Sequence, residues 1–228
     1  MRKNIIKLNY SVEIISNNIF ATNSYLIIDE DKNALLIDPS FDPNAIEDII
    51  NNLGITVLGI LVTHAHQDHI YSVQYFKDLY NVGVWASERS TEIFCDRIQN
   101  LSFIGSEHFG LQETILEIPV NIVADKQSYQ IQNFIFTAGI YPGHSIGCTV
   151  FDFGELLFTG DFIFKETIGR IDWPGSNPNE MKKSLMRFKE RYQNLDMSIY
   201  AGHNEYSSIQ YELTRNIFLV NPENVNLL

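Results

Sequence analysis

Residues 59–70 read GILVTHAHQDHI, an apolar run that ends in a cluster of histidines and one aspartate. The chain has six histidines in total, and three of them fall in this short stretch. In an extended segment, side chains two positions apart point the same way, so His64 and His66 can converge on one point. Asp68 and His69 lie beyond a further turn and can face a second point nearby. Imidazole and carboxylate ligands suit Zn²⁺, Fe or Mn²⁺, so the stretch predicts a metal site at the end of a buried strand.

Three later segments repeat this placement, a strand-like run followed by a ligand-type residue. AGIYPGHSIG presents His144 after a Pro-Gly turn, ELLFTGDFIF presents Asp161 after a glycine, and MSIYAGHNEY presents His203 after another glycine. Taken alone, each of these is better interpreted as a turn residue without a function. Taken together, they place nearly all the histidines at the ends of strands, and this joint pattern predicts one shared site.

Length and composition limit the class of protein. Hydrophobic residues make up 45% of the 228 residues and charged residues 19%, which is typical of a globular protein. No Pro/Gly/Ser-rich linker interrupts the chain, so we predict a single domain over residues 1–228. No apolar run approaches the roughly 20 residues of a membrane helix. The N-terminal MRKNIIKLNYSVEII lacks a signal-peptide core and is interpreted as the first strand of a cytoplasmic protein with no membrane association.

Charge and cysteine content point to a small-molecule substrate. The net charge of −12 argues against a nucleic-acid partner, because binding to phosphates needs a basic surface. Cys95 and Cys148 are the two cysteines and are expected to be free thiols in a reducing compartment, with Cys148 facing the core. No feature of the sequence indicates an oligomeric state.

Helices and strands are interspersed along the chain. YLIIDEDKNALLID predicts a hairpin around residues 31–33, and PNAIEDIINNLG predicts a helix from a proline to a glycine. Residues 177–191 predict a second helix with Asn177 as its N-cap and Glu180 at the capping-box position. Ser207 and Ser208 similarly introduce a third. The apolar LGILVT run indicates a sheet covered on both faces, in a layered architecture.

The segment HAHQDH matches H-x-H-x-D-H, and the sequence thereby resembles the metallo-β-lactamase fold superfamily. Within it, FTGDFIFKETIGRIDWPGS and AGHNEYSSIQYELTRNIFL are similar to stretches of the glyoxalase II-like (hydroxyacylglutathione hydrolase-like) hydrolases. The resemblance runs from about residue 20 to residue 219. It implies an α+β fold, a four-layer αββα sandwich with metals at one edge.

The resemblance also implies a ligand set and a reaction. It assigns the two metals, most simply zinc with iron or manganese as alternatives, to the following residues: His64, His66 and His144 for one, Asp68, His69 and His203 for the other, and Asp161 between them. Two cations about 3.5–4 Å apart lower the pKa of a shared water toward 7 and supply a metal-bound hydroxide. Asp68 is the expected catalytic residue, placed to orient that hydroxide or manage its proton.

The expected reaction is hydrolysis of a small acyl thioester. The ligand set uses every histidine except His108, which lies in a predicted loop, so few groups are free to act as a general acid. A thiolate departs without being protonated and therefore suits such a site. A persulfide dioxygenase with one iron, and a lactone or β-lactam hydrolase, are the alternatives. Only residues 204–228 follow His203, fewer than the helical segment that grips glutathione in the family, so the resemblance leaves open which thiol carries the acyl group.

Three residues near the site by sequence are candidates for substrate binding: Lys165, Arg170 and Tyr206. For Arg170, an ion pair with Asp172 is the simpler interpretation. Trp173, which precedes a proline, is expected to pack rather than to bind substrate.

Overall fold

The computed structural model describes residues 10–16 and 19–227, which contain fourteen strands and eight helices. The strands are β1 Ser11–Ile15, β2 Ser24–Ile28, β3 Asn33–Ile37, β4 Thr56–Leu61, β5 Gly83–Ser87, β6 Asn121–Val123, β7 Gln127–Ile131, β8 Phe134–Ile140, β9 Thr149–Asp152, β10 Leu156–Gly160, β11 Ile163–Phe164, β12 Thr167–Ile168, β13 Ser198–Ala201 and β14 Ser207–Ser208. The helices are α1 Pro43–Leu53, α2 Gln67–Ile70, α3 Val73–Tyr80, α4 Glu88–Ile93, α5 Ser102–Phe109, α6 Pro178–Tyr192, α7 Ile209–Arg215 and α8 Ile217–Val220, followed by a 3₁₀ helix at Pro222–Leu227.

Twelve of the strands form two six-stranded sheets. Sheet 1 has the order β1-β2-β3-β4-β5-β6, with β1, β2 and β3 antiparallel and β3 to β6 parallel. Sheet 2 has the order β14-β13-β10-β9-β8-β7 and is antiparallel except for the parallel β10–β13 pair. The remaining strands, β11 and β12, form a small hairpin.

The apolar side chains divide into three clusters that define four layers. Along β2, Tyr25 and Ile27 pack against sheet 2, whereas Leu26 and Ile28 pack against helices α1 and α3. This alternation follows from the two-residue period of a strand. A third cluster joins sheet 2 to helix α6 through residues such as Phe188. The order is therefore helices, sheet, sheet, helices, as the resemblance implied.

The ends of two predicted helices are confirmed. In α1, Pro43 is at the first position and Gly54 ends the helix at φ +65°, a conformation that glycine adopts without strain. At the start of α6 the Asn177 side chain accepts the Glu180 backbone N–H, as predicted, but the Glu180 carboxylate binds Lys183 instead of closing the capping box.

Other expectations are met in part. The β2–β3 hairpin is present, and Ser208 caps α7, although Ser207 and Ser208 also form the edge strand β14. The N-terminal strand is confirmed only as Ser11–Ile15, since residues 1–9 lie outside the described residues. The predicted loop around His108 is wrong: it is helix α5. Within the described ranges, no helix combines the length and the apolar character needed to cross a membrane.

Candidate metal centre

Four strands deliver the predicted site residues to one edge of the sandwich. His64 and His66 follow β4, His144 follows β8, Asp161 follows β10 and His203 follows β13. Each residue lies just beyond the carboxyl end of its strand. An isolated bridge between Thr22 and His203 and a hydrogen bond from the Asn23 backbone N–H to the Gly202 carbonyl (2.7 Å) join the two sheets at this edge.

Three imidazoles form a first group, called the histidine triad: His64, His66 and His144. The Nδ1 atom of His66 lies 3.1 Å from His64 Nε2 and 2.9 Å from His144 Nε2. All three rings are buried. The His144 Nδ1–H donates to the carbonyl of Arg170 (2.7 Å). The Nε2 atom of the neutral ring therefore carries a free lone pair, which faces the other two imidazoles. Convergent lone pairs of this kind suit a cation.

A second group, called the mixed triad, contains Asp68, His69 and His203. Asp68 Oδ2 lies 3.4 Å from His69 Nε2 and 3.2 Å from His203 Nε2. His69 is fully buried, whereas Asp68 and His203 are half-buried and face the open side of the site. The structure therefore brings together the same two sets of residues that the resemblance implied.

Asp161 lies between the two triads. One of its oxygens, Oδ1, is 3.2 Å from His69 Nε2, and the other, Oδ2, is 3.5 Å from both His144 Nε2 and His203 Nε2. His69 Nε2 and Asp161 Oδ1 are buried, and although they lie 3.2 Å apart, neither makes a well-aligned hydrogen bond within the described residues. Buried polar atoms are normally satisfied, so these unpaired, inward-facing atoms fit a bound metal ion. Each triad brings its ligand atoms within 4.8 Å of one another, close enough to hold an ion.

Asp38, which was not predicted from the sequence, supports the site through hydrogen bonds to His69 and Thr63. Its Oδ2 accepts hydrogen bonds from His69 Nδ1 (2.8 Å) and the Thr63 hydroxyl (2.5 Å), and its Oδ1 accepts the Thr63 backbone N–H (2.7 Å). Asp38, His64 and His69 also bring one ligand-type atom each within 4.8 Å of one another. Since its oxygens already accept these hydrogen bonds, we interpret it as an orienting partner of His69 rather than a ligand. Asp38 follows the end of β3, the same placement that identified the other site residues.

Thr22 and Gly202 are two further contributors that the sequence analysis missed. The Thr22 hydroxyl donates to Asp68 Oδ2 (2.7 Å), which fixes this carboxylate toward the mixed triad. A Cβ atom at residue 202 would overlap the Asp161 carboxylate and the His69 ring, so a glycine is needed there.

The two triads differ in their proton affinity. Burial lowers the pKa of His64 and His66 well below the usual histidine value, and neighbouring imidazoles lower it further. Burial likewise lowers the pKa of His144, against the opposing effect of Asp161. The histidine triad is therefore neutral at pH 7, the form in which imidazole binds metal.

The mixed triad behaves in the opposite way. Burial disfavours a charged His203, but the carboxylates of Asp161 and Asp68 outweigh it and raise the pKa of His203 to about 10. The same carboxylates raise the pKa of His69 well above its usual value. Without metal, this triad therefore holds protons at pH 7.

A cavity of about 700 Å³ opens over both triads. Its floor contains His66, Asp68, His144, Asp161 and His203. Its walls are mainly apolar and aromatic: Phe20, Leu101, Ile104, Phe109, Phe164 and Trp173, with His108, Gln67, Gly105 and Arg170 completing the lining. The volume is in the range of small-molecule sites.

The three residues predicted to bind substrate lie in two different places. Arg170 lines the cavity and pairs with Asp172, with Nε–Oδ1 at 2.9 Å and Nη2–Oδ2 at 2.7 Å. Lys165 and Tyr206 instead border a separate depression, where Lys165 binds Glu205. Trp173, expected only to pack, lines the cavity with the Arg170 guanidinium over its ring at 4.2 Å. Cys148 is buried as expected, and burial raises the pKa of its thiol to about 12.

An αββα sandwich with histidine and aspartate side chains gathered at one edge is the architecture of a metallo-hydrolase. The chain belongs to the metallo-beta-lactamase superfamily, whose family model matches residues 17–203. This membership supports a metal-dependent hydrolase that acts on small molecules.

Three similar proteins extend the comparison. A probable metallo-hydrolase of Streptococcus pyogenes is 33% identical, with the alignment covering 89% of this chain and 87% of the relative. The hydroxyacylglutathione hydrolase GloC of Haemophilus influenzae is 30% identical over 92% of this chain and 98% of its own. The crystal structure of the B3 metallo-beta-lactamase BLEG-1 superimposes with a TM-score of 0.84 at 27% identity, covering 92% of this chain and all (100%) of that one. These similarities establish the metallo-beta-lactamase fold.

Proposed function

We propose that this protein is a dinuclear metal-dependent hydrolase of the glyoxalase II-like type that cleaves a small acyl thioester. The observation that carries the proposal is the convergence of the histidine triad and the mixed triad on either side of Asp161, with buried ring and carboxylate atoms left unpaired. The single-domain organisation expected for residues 1–228 belongs to the same proposal.

The residues present fit two divalent cations, for which zinc is the first choice and iron or manganese the alternatives. One cation would be held by the histidine triad, the other by the mixed triad, and Asp161 would contribute to both. Bound there, divalent cations lower the pKa of a water to about 7 and polarise the carbonyl of the substrate.

The chain's own side chains then have distinct tasks. Asp68 is half-buried at the mouth of the site, is fixed by the Thr22 hydroxyl, and is placed to orient the attacking water and accept its proton. Asp38 and the Arg170 carbonyl orient His69 and His144 through their Nδ1 atoms. The aromatic walls limit the access of bulk water to the scissile bond.

Thioester chemistry is supported by the leaving group and by one relative. A thiolate, whose conjugate acid has a pKa of about 8.5, departs without a proton donor, which suits a site whose floor imidazoles are all committed to the triads. The similarity to GloC, named as a hydroxyacylglutathione hydrolase, supports the same reaction.

β-Lactam hydrolysis is the second candidate. The similarity to BLEG-1 favours it, and so does the position of His108 on the cavity wall, where it could donate a proton to a departing nitrogen.

The net charge of −12 supports the expectation that nucleic acid is not a substrate. The two free cysteines support a cytoplasmic location, which completes the proposal.

A substrate panel tests the proposal. Protein reconstituted with zinc, or separately with iron, is assayed against acyl thioesters, lactones, a β-lactam and glutathione persulfide, the last by oxygen consumption. We expect the highest kcat/KM with a thioester and loss of that activity with a chelator. Oxygen consumption only in the iron form would favour the persulfide dioxygenase, and cleavage of the β-lactam alone would favour the second candidate.

A further inference from the structure

One wall of the cavity over the triads is made by helix α5 and its neighbour Phe20. This surface, the α5 wall, consists of Phe20, Leu101, Ile104 and Phe109. Phe20 packs edge-on against Phe109, with ring centroids 5.0 Å apart, and also contacts the buried Phe41 at 5.3 Å. The wall is therefore a continuous apolar surface that extends from the core to the mouth of the cavity.

The α5 wall exposes hydrocarbon beside the reacting centre. Phe109 is 56% exposed although it lines the cavity, and Ile104 is half-buried. Large apolar side chains exposed in a concave site mark the place where a ligand buries its own apolar surface.

Helix α5 is tied to the metal motif rather than free to move as a lid. Gln67, which lies between His66 and Asp68, donates from its side chain to the Gln112 carbonyl (2.8 Å) just beyond the helix. Its carboxamide occupies the space where a Cβ of Gly105, in the middle of α5, would lie. The distance between the α5 wall and the triads is thus fixed by contacts within the motif itself.

The charges around the cavity do not favour a charged acyl group. Among the cavity-lining residues in the described part of the chain, Arg170 is the one lysine or arginine, and its guanidinium already pairs with Asp172. His108 adds one polar group at the end of α5. An acyl carboxylate near Ile104 would lose its hydration without gaining a cationic partner.

We infer that the acyl group of the substrate is an uncharged hydrocarbon chain, which runs from the triads along the α5 wall. The inference rests on the proposed thioesterase function and specifies its substrate class. Ile104 and Phe109 are the residues that determine the selectivity for this chain.

A chain-length series on the zinc-loaded full-length protein tests the inference. The substrates are N-acetylcysteamine thioesters of acetate, butyrate, hexanoate and glutarate, which share one small uncharged thiol. Burying one further methylene group should raise kcat/KM by up to about fourfold. We therefore expect kcat/KM for the hexanoyl thioester to exceed that for the acetyl thioester by at least about tenfold. Glutaryl, which ends in a carboxylate, should be at least about tenfold poorer than hexanoyl.

Substitutions in the α5 wall should change selectivity in a defined direction. Ile104→Lys should lower the hexanoyl-to-glutaryl ratio of kcat/KM by at least about tenfold, because the ammonium disfavours hydrocarbon and pairs with the carboxylate. Phe109→Ala should lower the hexanoyl-to-acetyl ratio severalfold. Met186→Ala, at a similarly exposed (55%) apolar residue of α6 outside the cavity, is the matched control and should leave both ratios unchanged. Ratios within one variant cancel losses of folded or metal-loaded protein.

The failure of the inference is distinguishable from that of the proposed function. Equal rates for acetyl and hexanoyl, or unchanged ratios in Ile104→Lys, would overturn the apolar acyl site while leaving thioester hydrolysis intact. If no thioester is cleaved, binding of non-hydrolysable ketone analogues, with a methylene between sulfur and carbonyl, decides the point by calorimetry. Tenfold tighter binding of the hexanoyl analogue over the acetyl analogue would support the site, and equal affinities would overturn it.

Discussion

The histidine triad and the mixed triad use similar side chains in opposite electrostatic surroundings. His64, His66 and His144 are buried against one another, and burial lowers the pKa of each ring. In the mixed triad, Asp68 and Asp161 outweigh burial and raise the pKa of both His69 and His203. One triad therefore offers free lone pairs at neutral pH, and the other must release protons before it binds a cation.

This difference indicates how the two halves of the centre divide their work. The neutral triad is a preformed binding site whose strength depends little on pH near 7. The mixed triad, with its half-buried Asp68 at the cavity mouth, combines metal binding with proton handling next to the substrate. Asp161, in contact with both, couples them.

Asp161→Asn should have the largest effect because Asp161 faces both triads. We expect at least about a 10³-fold loss of kcat/KM, since several kcal/mol of transition-state stabilisation depend on the cations. Elemental analysis should show fewer than two metals per chain. Unchanged metal content and activity would show that Asp161 does not connect the triads.

Single ligand substitutions should empty one triad at a time. His66→Gln and His203→Gln should each leave about one metal per chain, with roughly 10²–10³-fold lower kcat/KM. Met186→Ala, at an exposed residue of α6 outside the cavity, serves as the control. If either substitution removed both metals, the two triads would not be separate binding sites.

Metal binding to the two triads should differ in its pH dependence. Because the pKa of His203 is raised to about 10 without metal and that of His69 is raised well above its usual value, both rings hold protons at neutral pH and must lose them on binding. Each time the pH is lowered by one unit between about 9 and 7, the metal affinity of the mixed triad should fall on the order of tenfold for every proton that the metal displaces. The histidine triad should show little change over this range.

Calorimetry in buffers of different ionisation enthalpy counts the protons released at each binding step. We expect more protons at the weaker step than at the tighter one, and in His203→Gln the loss of the proton-releasing step together with the second metal. Equal proton release at both steps would contradict the comparison between the triads.

Asp38→Asn should weaken the mixed triad selectively. The carboxylate orients His69 through Nδ1 and increases its basicity, and loss of such a partner costs about 10–100-fold in metal affinity. Affinity at the histidine triad should change far less. Competition with a chromophoric chelator measures both affinities, and an equal loss at the two sites would indicate a general structural role for Asp38.

Thr22→Val should have the smallest effect. It replaces the hydroxyl that donates to Asp68 Oδ2 with a methyl group of similar size. Loss of one such hydrogen bond is worth about 0.5–1.5 kcal/mol, so kcat should fall roughly two- to tenfold with two metals retained. A larger fall accompanied by metal loss would mean that Thr22 holds the ligand rather than tuning its orientation.

The sequence predicted the strand ends and the grouping of ligand-type residues because the chemistry is concentrated in short motifs. HAHQDH places four metal-ligand side chains, three histidines and an aspartate, after an apolar strand, and a shared ligand explains this grouping. Asp38 follows β3 in the same way, but a single aspartate before a proline is indistinguishable from a turn residue in sequence. Its role depends on contacts with His69 and Thr63, which only the folded chain brings together.

The elements that were not predicted lack a periodic pattern. Strand β7, QSYQI, is polar and is held in the sheet by its pairing with β8. Helix α5, SFIGSEHF, has no apolar stripe, and both Leu101 before it and Gly110 after it have positive φ. Nearness in sequence was also misleading for Lys165, which the β11–β12 hairpin carries to a different depression.

The most direct test of the account is a metal titration of activity. Metal-free protein is supplied with zinc in steps, and hexanoyl thioester hydrolysis is followed at each ratio of zinc to chain. We predict little activity at one equivalent, when the neutral histidine triad fills first, and a steep rise that saturates at two. Full activity at one equivalent or less, or hydrolysis that does not depend on added metal, would contradict a centre in which both triads act together.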